Sequence, residues 1–241
     1  MSEPAPEPFS IEVAGSGPVS AVLIAPDDAL AGYVLAHGAG AGMHHAFMAS
    51  IATALARRRV ATLRYQFPSM ERGARRPDLP RVAHATVRAA VHAAGTRLPR
   101  LPLFAGGKSF GGRMTSQAHA DAPLAGVRGL VFLGFPLHPA GRPAIDRADH
   151  LDRVGCPMLF VQGSRDELAE IGLAGAVVER LGARATLARF DDADHAFHVR
   201  ARSGSNDAEV LERIADTVAA WMAPLAHAPA DDRDPSGAAR A

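Results

Sequence analysis

A serine between two closely spaced glycines is the residue of this chain best suited to covalent chemistry. The segment GKSFG around Ser109 fits the pattern G-x-S-x-G, follows the apolar run Leu101–Ala105 and precedes a helical stretch. In this context the pattern marks a nucleophile elbow, in which a strained backbone lifts the serine Oγ clear of the sheet. The sequence therefore predicts Ser109 as a nucleophile, with a glycine-rich turn and an incidental serine as the alternative. A phosphate-binding loop is disfavoured, because no glycine stands six residues before Lys108.

An acidic residue and a histidine follow the serine in the order that a nucleophile of this type uses. Asp166 comes shortly after the apolar run Met158–Gln162, and His195 follows the last predicted strand. A histidine there can take the serine proton, and the acid can orient its ring. We predict Asp166 and His195 in these roles, with His198 as the reserve base; the alternatives are a helix-capping aspartate and exposed loop histidines. A metal site at the two histidines is disfavoured, because no helical H-E-x-x-H frame and no third protein ligand are visible.

Two main-chain N–H groups are needed to hold the negative charge that forms on a carbonyl under attack. One is predicted at Phe110, which follows the nucleophile, and the other at Ala39, with Gly40 as the alternative. Ala39 and Gly40 lie in the segment HGAGAG, which begins at His37 directly after an apolar run. We expect His37, Gly40 and Lys108 to contact the substrate; the alternatives are a merely flexible loop and a structural ion pair for Lys108.

Three further features near these motifs have mainly structural interpretations. Arg113 is expected to hold its helix to a loop, and Cys156 is expected to be a small buried apolar residue. The segment Pro136–Arg153 is too short for a helical cap domain. We therefore expect a shallow, open pocket that suits small acyl substrates.

Apolar runs alternate with longer helical patterns along most of the chain. Several runs are continuously apolar, as is typical of strands buried on both faces of a parallel sheet. The predicted strands are Val19–Ala25, Tyr33–Ala36, Ala61–Tyr65, Leu101–Ala105, Val127–Gly134, Met158–Gln162 and Ala185–Phe190. The predicted helices are His45–Arg59, Leu168–Leu181 and Asp207–Met222, besides the helical stretch after Ser109. This alternation predicts βαβ units and a doubly wound, mostly parallel α/β sheet.

Composition argues against several classes of protein. The chain has 241 residues, a formal net charge of +1 and one cysteine. These values disfavour nucleic-acid binding through counterion release, an intramolecular disulfide and a multi-cysteine zinc site. No apolar run reaches about 18 residues and the start is acidic and proline-rich, so we expect neither a membrane span nor a signal peptide, and a cytoplasmic location. One domain is predicted over residues 9–223, with disordered tails at 1–8 and 224–241.

Five segments of the chain together resemble the α/β-hydrolase superfamily. They are HGAGAG, GGKSFGGRM, FPLHPAGRP, LFVQGSRDELA and DADHAFH. The chain looks most like the dienelactone-hydrolase-like branch and, within it, the small group of testis-expressed and NSL-complex hydrolase-like proteins. The resemblance implies an α/β-hydrolase fold, Ser109, Asp166 and His195 at the triad positions, and no cofactor. Dienelactone hydrolase uses a cysteine nucleophile, so its substrate does not carry over to a chain with serine there.

These motifs predict a serine hydrolase that cleaves a small ester or thioester through an acyl-enzyme. Its expected partner is a small-molecule acyl substrate, with no nucleic acid or membrane. One alternative is an amide or peptide hydrolase. The other is a non-catalytic scaffold that binds proteins, which the complete set of serine, acid and histidine argues against.

Overall fold

One eight-stranded sheet organises the computed structural model, which describes residues 4–74 and 76–228. The strands are β1 (Glu7–Val13), β2 (Gly17–Ile24), β3 (Ala31–Ala36), β4 (Val60–Tyr65), β5 (Leu103–Lys108), β6 (Val127–Leu133), β7 (Met158–Gly163) and β8 (Ala185–Phe190). Their order is β1-β2-β4-β3-β5-β6-β7-β8, with antiparallel pairing at β1–β2 and β2–β4 and parallel pairing elsewhere. The predicted doubly wound, mostly parallel sheet is thereby confirmed.

Helices cover both faces of the sheet. They are α1 (Ala46–Ala56), α2 (Pro68–Glu71), α3 (Pro80–Arg97), α4 (Phe110–Asp121), α5 (Ile171–Leu181) and α6 (Asp207–His227), with 3-10 turns at Asp146–Arg153, Gly182–Arg184 and Ala201–Ser203. One core lies between the sheet and α3, α4 and α5, and the other lies between the sheet and α1 and α6. Every residue of β3, β4 and β7 is buried, which explains why these strands are mostly apolar. Within the described residues, no helix is both long and apolar enough to cross a bilayer.

The N-terminal edge strand, β1, is absent from the predicted strands. Glu7 and Pro8, which fall in the predicted disordered tail, belong to β1. Ile11 and Val13 alternate with exposed residues and bury one face of the strand. Arg97 ties this edge to α3, because it donates to the Glu7 carboxylate at 2.8 Å and lies 3.7 Å from the centre of the Phe9 ring.

The last helix continues past the predicted end of the domain at residue 223. It runs through Pro224 to His227, because Leu225 and Ala226 pack against the core on that side. Arg128 also donates to the carbonyls of Leu225 and Ala226 at 3.1 and 3.0 Å, which satisfies groups that a helix end leaves unpaired. Residues 229–241 of the predicted tail lie outside the described residues.

Candidate active site

Ser109 lies at the turn between β5 and α4, at the carboxyl edge of the parallel strands. Its backbone has φ 50° and ψ −115°, a strained conformation for a residue with a side chain. Its N–H donates to the Leu133 carbonyl at 3.1 Å, and its own carbonyl accepts from the Arg113 N–H at 3.1 Å. The turn is therefore held from a neighbouring strand and from the helix that it starts.

The two glycines of the motif are required by close backbone contact. Gly107 has φ 144°, and a Cβ there would lie 2.1 Å from the Ala36 carbonyl oxygen. A Cβ at Gly111 would lie 2.5 Å from the His37 carbonyl oxygen. Neither atom can yield, because both belong to the main chain of β3 and the loop that follows it. The glycine spacing thus reflects how tightly the elbow packs against β3.

The structure brings the three predicted triad residues into one hydrogen-bonded chain. His195 Nε2 lies 2.9 Å from Ser109 Oγ, and His195 Nδ1 lies 2.7 Å from Asp166 Oδ2. The Asp166 side chain is fully buried, whereas 27% of the His195 side chain is exposed. With the proton of the neutral ring on Nδ1, directed at the carboxylate, Nε2 is free to accept the serine proton.

The Asp166 carboxylate has two further donors that the sequence analysis missed. Gln162 Nε2 donates to Oδ2 at 2.5 Å, and the Leu168 N–H donates to Oδ1 at 2.8 Å. Gln162 is itself fixed, because its Oε1 accepts the Phe135 N–H at 3.0 Å. A buried carboxylate needs such partners to offset its lost hydration. The only sequence signal was a polar residue at the end of a buried strand.

The reserve base, His198, is directed away from the serine. Its Nδ1 pairs with Asp207 Oδ2 at 2.8 Å on the surface, and this hydrogen bond raises the pKa of the imidazole. Asp194 Oδ1 accepts the N–H groups of Ala196 and His198, at 2.8 and 2.9 Å, and so shapes the turn that carries His195. The two histidines therefore have different places in the fold.

The loop after β3 is organised by a buried histidine. His37 Nε2 accepts the Phe67 N–H at 3.1 Å, so the ring proton is on Nδ1, which donates to the Gly38 carbonyl at 2.7 Å. Burial lowers the pKa of this imidazole. Both ring nitrogens are bonded to main chain, and 1% of the residue is exposed. His37 thus shapes the loop. Because its ring nitrogens are both bonded to main chain, they do not support the expected contact of His37 with the substrate.

Two more side chains that the sequence analysis missed hold the far half of this loop. Arg64 Nη1 donates to the Met43 carbonyl at 3.0 Å, and Gln66 Oε1 accepts the Met43 N–H at 2.8 Å. Both come from the carboxyl end of β4, next to β3 in the sheet. Burial lowers the pKa of the Arg64 guanidinium. The loop is therefore fixed at both ends by neighbouring strands.

The two predicted oxyanion donors come from different parts of the chain: Phe110 directly follows the nucleophile, and Ala39 belongs to the loop after β3. Phe110 is the first residue of α4, so its N–H has no acceptor within the helix. A Cβ at Gly38 would lie 3.7 Å from Ser109 Cβ, and Ala39 and Gly40 follow directly in an exposed part of the loop. Their role as donors stays a prediction.

Comparison with known proteins identifies the family. A family model described as an alpha/beta hydrolase domain matches residues 29–223. The chain belongs to this family. A lidless α/β serine hydrolase from Xanthomonas campestris is 21% identical over 90% of this chain and 94% of its own, with a TM-score of 0.70. A dienelactone hydrolase from Anabaena variabilis is 21% identical over 92% and 99%, with a TM-score of 0.74.

A third solved structure has an esterase description. The esterase domain of a Rhodothermus marinus protein is 17% identical over 90% of this chain and 97% of its own, with a TM-score of 0.68. At these identities the three structures show a shared fold. The resemblance to α/β hydrolases is confirmed, while the narrower resemblance to testis-expressed and NSL-complex proteins stays a prediction.

The rim of this hydrolase is a short segment packed on α4. Its 3-10 helix, Asp146–Arg153, buries Ala148 and Leu151. A cleft of 670 Å³ lies beside the acid loop and is lined by Gly141, Ser164, Arg165, Asp166, Glu167, Glu170, Ile171 and Gly172. Ser109 is not among the residues that line this cleft, so the predicted shallow pocket above the nucleophile stays a prediction.

Two cationic side chains near the nucleophile, Lys108 and Arg113, do not make the contacts that the sequence predicts. Lys108 Nζ donates to the His195 carbonyl at 2.6 Å, which is a contact with the protein where a substrate contact was expected. Burial lowers the pKa of this amine to about 8. Arg113 does not anchor α4 through Nε, since that atom is buried and has no hydrogen-bond partner among the described residues. Burial, together with the nearby Arg147, lowers the pKa of the Arg113 guanidinium.

Proposed function

We propose that this α/β hydrolase is a serine esterase or thioesterase that acts on small acyl substrates. The observation that carries the proposal is the hydrogen-bonded chain from Asp166 through His195 to Ser109. This arrangement of acid, base and nucleophile is the one that acyl transfer through a serine requires.

The reaction has two halves. In the first, Ser109 Oγ attacks the substrate carbonyl while His195 Nε2 takes the hydroxyl proton, and the N–H groups of Phe110 and Ala39 hold the oxyanion. The imidazolium then protonates the leaving alcohol or thiol, whose bond to the acyl carbon breaks. In the second half, His195 takes a proton from water as the water attacks the acyl-enzyme, and returns that proton to Ser109 Oγ as the acid leaves. Asp166 stabilises the imidazolium in both halves.

The short rim and the names of the structural neighbours support ester substrates of modest size. The neighbours include a dienelactone hydrolase and an esterase domain. No segment of the described residues forms a helical cap over α4. A small acyl group with an alcohol or thiol leaving group therefore suits the site best.

The proposal is tested with a panel of p-nitrophenyl and thiocholine esters of rising acyl length. We expect saturable turnover of short acyl chains, lost in Ser109→Ala by about 10⁶ in kcat. His198→Ala is the matched control, because its ring pairs with Asp207 on the surface, and it should keep at least a third of the activity. If no ester is turned over and a fluorophosphonate probe does not label Ser109, the proposal is wrong and a protein-binding scaffold is favoured.

A further inference from the structure

The sequence contains one lysine, and its amine is directed into the fold beside the proposed base. Lys108 is the last residue of β5, directly before the nucleophile. Its Nζ donates to the main-chain carbonyl of His195 at 2.6 Å. Among the described residues this is its one hydrogen bond, and no carboxylate forms an ion pair with it. The expected alternative of a structural ion pair is therefore excluded, and the buried ammonium serves a single carbonyl.

That carbonyl lies in a tight turn that sets the direction of the imidazole. The Asp194 N–H donates to the His198 carbonyl, and the Phe197 N–H donates to the Asp194 carbonyl, both at 3.0 Å. Phe197 closes the turn with φ 65°, an unfavourable value for an aromatic residue. A strained turn of this kind needs outside contacts to persist. Lys108 supplies such a contact at His195 itself.

A glycine directly after β6 makes room for this contact. Gly134 has φ 71°, and a Cβ there would lie 2.9 Å from Lys108 Nζ and 3.5 Å from His195 Nδ1. The ammonium and the ring therefore pack on the same side of one backbone position. A change at either group acts on the other directly.

The charged groups that face the ammonium come from two loops. Asp166 follows β7 and Asp194 follows β8, and both carboxylates favour the protonated amine against the effect of burial. The Phe197 ring centre lies 5.4 Å from Nζ. From the loop after β3, Gly38 packs near the lysine stem, since a Cβ there would lie 3.7 Å from Lys108 Cγ.

We propose that Lys108 is a positioning residue for the catalytic histidine: its ammonium fixes the His195 carbonyl and so holds the imidazole in line between Ser109 and Asp166. This inference rests on the proposed function. Lys108 thus sets the geometry of the base.

The rate of Ser109 labelling by a fluorophosphonate, followed from pH 5 to 10, measures this role without knowledge of the substrate. In Lys108→Met, we expect labelling to slow by about 10- to 100-fold, since a charge-assisted hydrogen bond that orients the base is lost. In the unaltered protein the labelling rate should fall above about pH 8, where Lys108 loses its charge, and this fall should be absent from Lys108→Met. A purely structural role predicts no such fall in the unaltered protein.

Two variants serve as controls. Lys108→Arg keeps a cation over the whole pH range, so it should label faster than Lys108→Met and should not show the fall above about pH 8. Arg202→Met removes an exposed cation from the segment between β8 and α6, which also carries His195, and should behave as the unaltered protein does. If Lys108→Met labels at the original rate with the original pH profile, the inference is wrong. If the unaltered protein itself is not labelled at Ser109, the proposed function fails instead, which separates the two failures.

A single lysine also permits a test that needs no variant. Protein grown with ¹³C-lysine gives one side-chain signal, whose titration reports Lys108 alone. As the pH rises and Lys108 loses its charge, we expect the rate at which the fluorophosphonate labels the unaltered protein to fall at least threefold. The midpoint of this fall should match that of the lysine signal, close to the pKa of about 8. A signal that titrates while the labelling rate stays level would overturn the inference.

Discussion

The carboxylate of Asp166 meets donors at both oxygens, which an amide cannot reproduce. Oδ2 accepts from Gln162 Nε2 and faces His195 Nδ1, and Oδ1 accepts from the Leu168 N–H. In Asp166→Asn one of the two oxygens becomes an NH₂ group, which only donates. Whichever way the amide turns, at least one N–H group of the protein loses its acceptor.

The expected loss of activity follows from the orientation that keeps the Leu168 hydrogen bond. The amide nitrogen then faces His195 Nδ1, which must give up its proton to accept from the amide. That proton goes to Nε2, which can no longer accept the proton of Ser109. We expect kcat to fall by about 10⁴, or about 5.4 kcal/mol in the barrier, as for loss of the correct tautomer in a serine triad.

Steady-state hydrolysis of p-nitrophenyl acetate measures this loss, with circular dichroism to check the fold. Glu167→Gln is the matched control, because this neighbouring carboxylate is exposed and should lose less than threefold in kcat. A folded Asp166→Asn protein that keeps more than a tenth of the original kcat would refute the reasoning.

Three further predictions concern packing and titration. Gly111→Ala should abolish soluble, folded protein, because its Cβ would lie 2.5 Å from the His37 carbonyl oxygen; a native melting curve would contradict this. Burial lowers the pKa of His119 and of His150 from 6.5 to about 4. As the pH falls, the unfolded chain therefore binds a proton at each ring before the folded protein does. The contribution of each ring to the free energy of unfolding should be complete above pH 6.5 and fall by about 3 kcal/mol as the pH drops to 4. Urea unfolding of His119→Gln should therefore show a smaller loss of stability between pH 6.5 and 4 than the unaltered protein shows. Cys156 is half-buried, and burial raises the pKa of its thiol to about 12, so Ellman's reagent at pH 8 should modify the folded protein much more slowly than the unfolded chain; equal rates would contradict the raised pKa.

The nucleophile, acid and base could be predicted because local signals mark them. Close packing against β3 forces glycine two residues before and after Ser109, and this requirement is visible as spacing. Asp166 and His195 each follow a run that reads as a buried strand, so the topology brings both to the same edge. The capping box at Asn206 and Glu209, which starts α6, is likewise a short-range pattern that can be read in the sequence.

The supporting residues could not be predicted because their roles depend on neighbouring strands. Gln162, Gln66 and Arg64 are single polar residues at strand ends, and nothing local shows which loop each one holds. His37 and Lys108 were interpreted as substrate contacts from their place in the sequence. Their burial against main-chain groups follows only from tertiary packing.

The fold was predictable where apolar runs are long, and less so elsewhere. Helix α3 is absent from the predicted elements because alanines such as Ala83, Ala90 and Ala94 form much of its buried face, which gives a weak periodic signal. Strand β1 follows a proline-rich start that is typical of a tail, yet Ile11 and Val13 bury its inner face.

The most direct test of the account is the site of acylation. The protein is mixed with p-nitrophenyl acetate, quenched in acid within the first turnover, digested with trypsin and examined by mass spectrometry. Cleavage after Lys108 and Arg113 releases the peptide SFGGR, which contains Ser109 as its only hydroxyl residue. We predict one acetyl group on this peptide, absent from Ser109→Ala. Acetylation of another residue, or turnover that persists in Ser109→Ala, would contradict the assignment of Ser109 as the nucleophile.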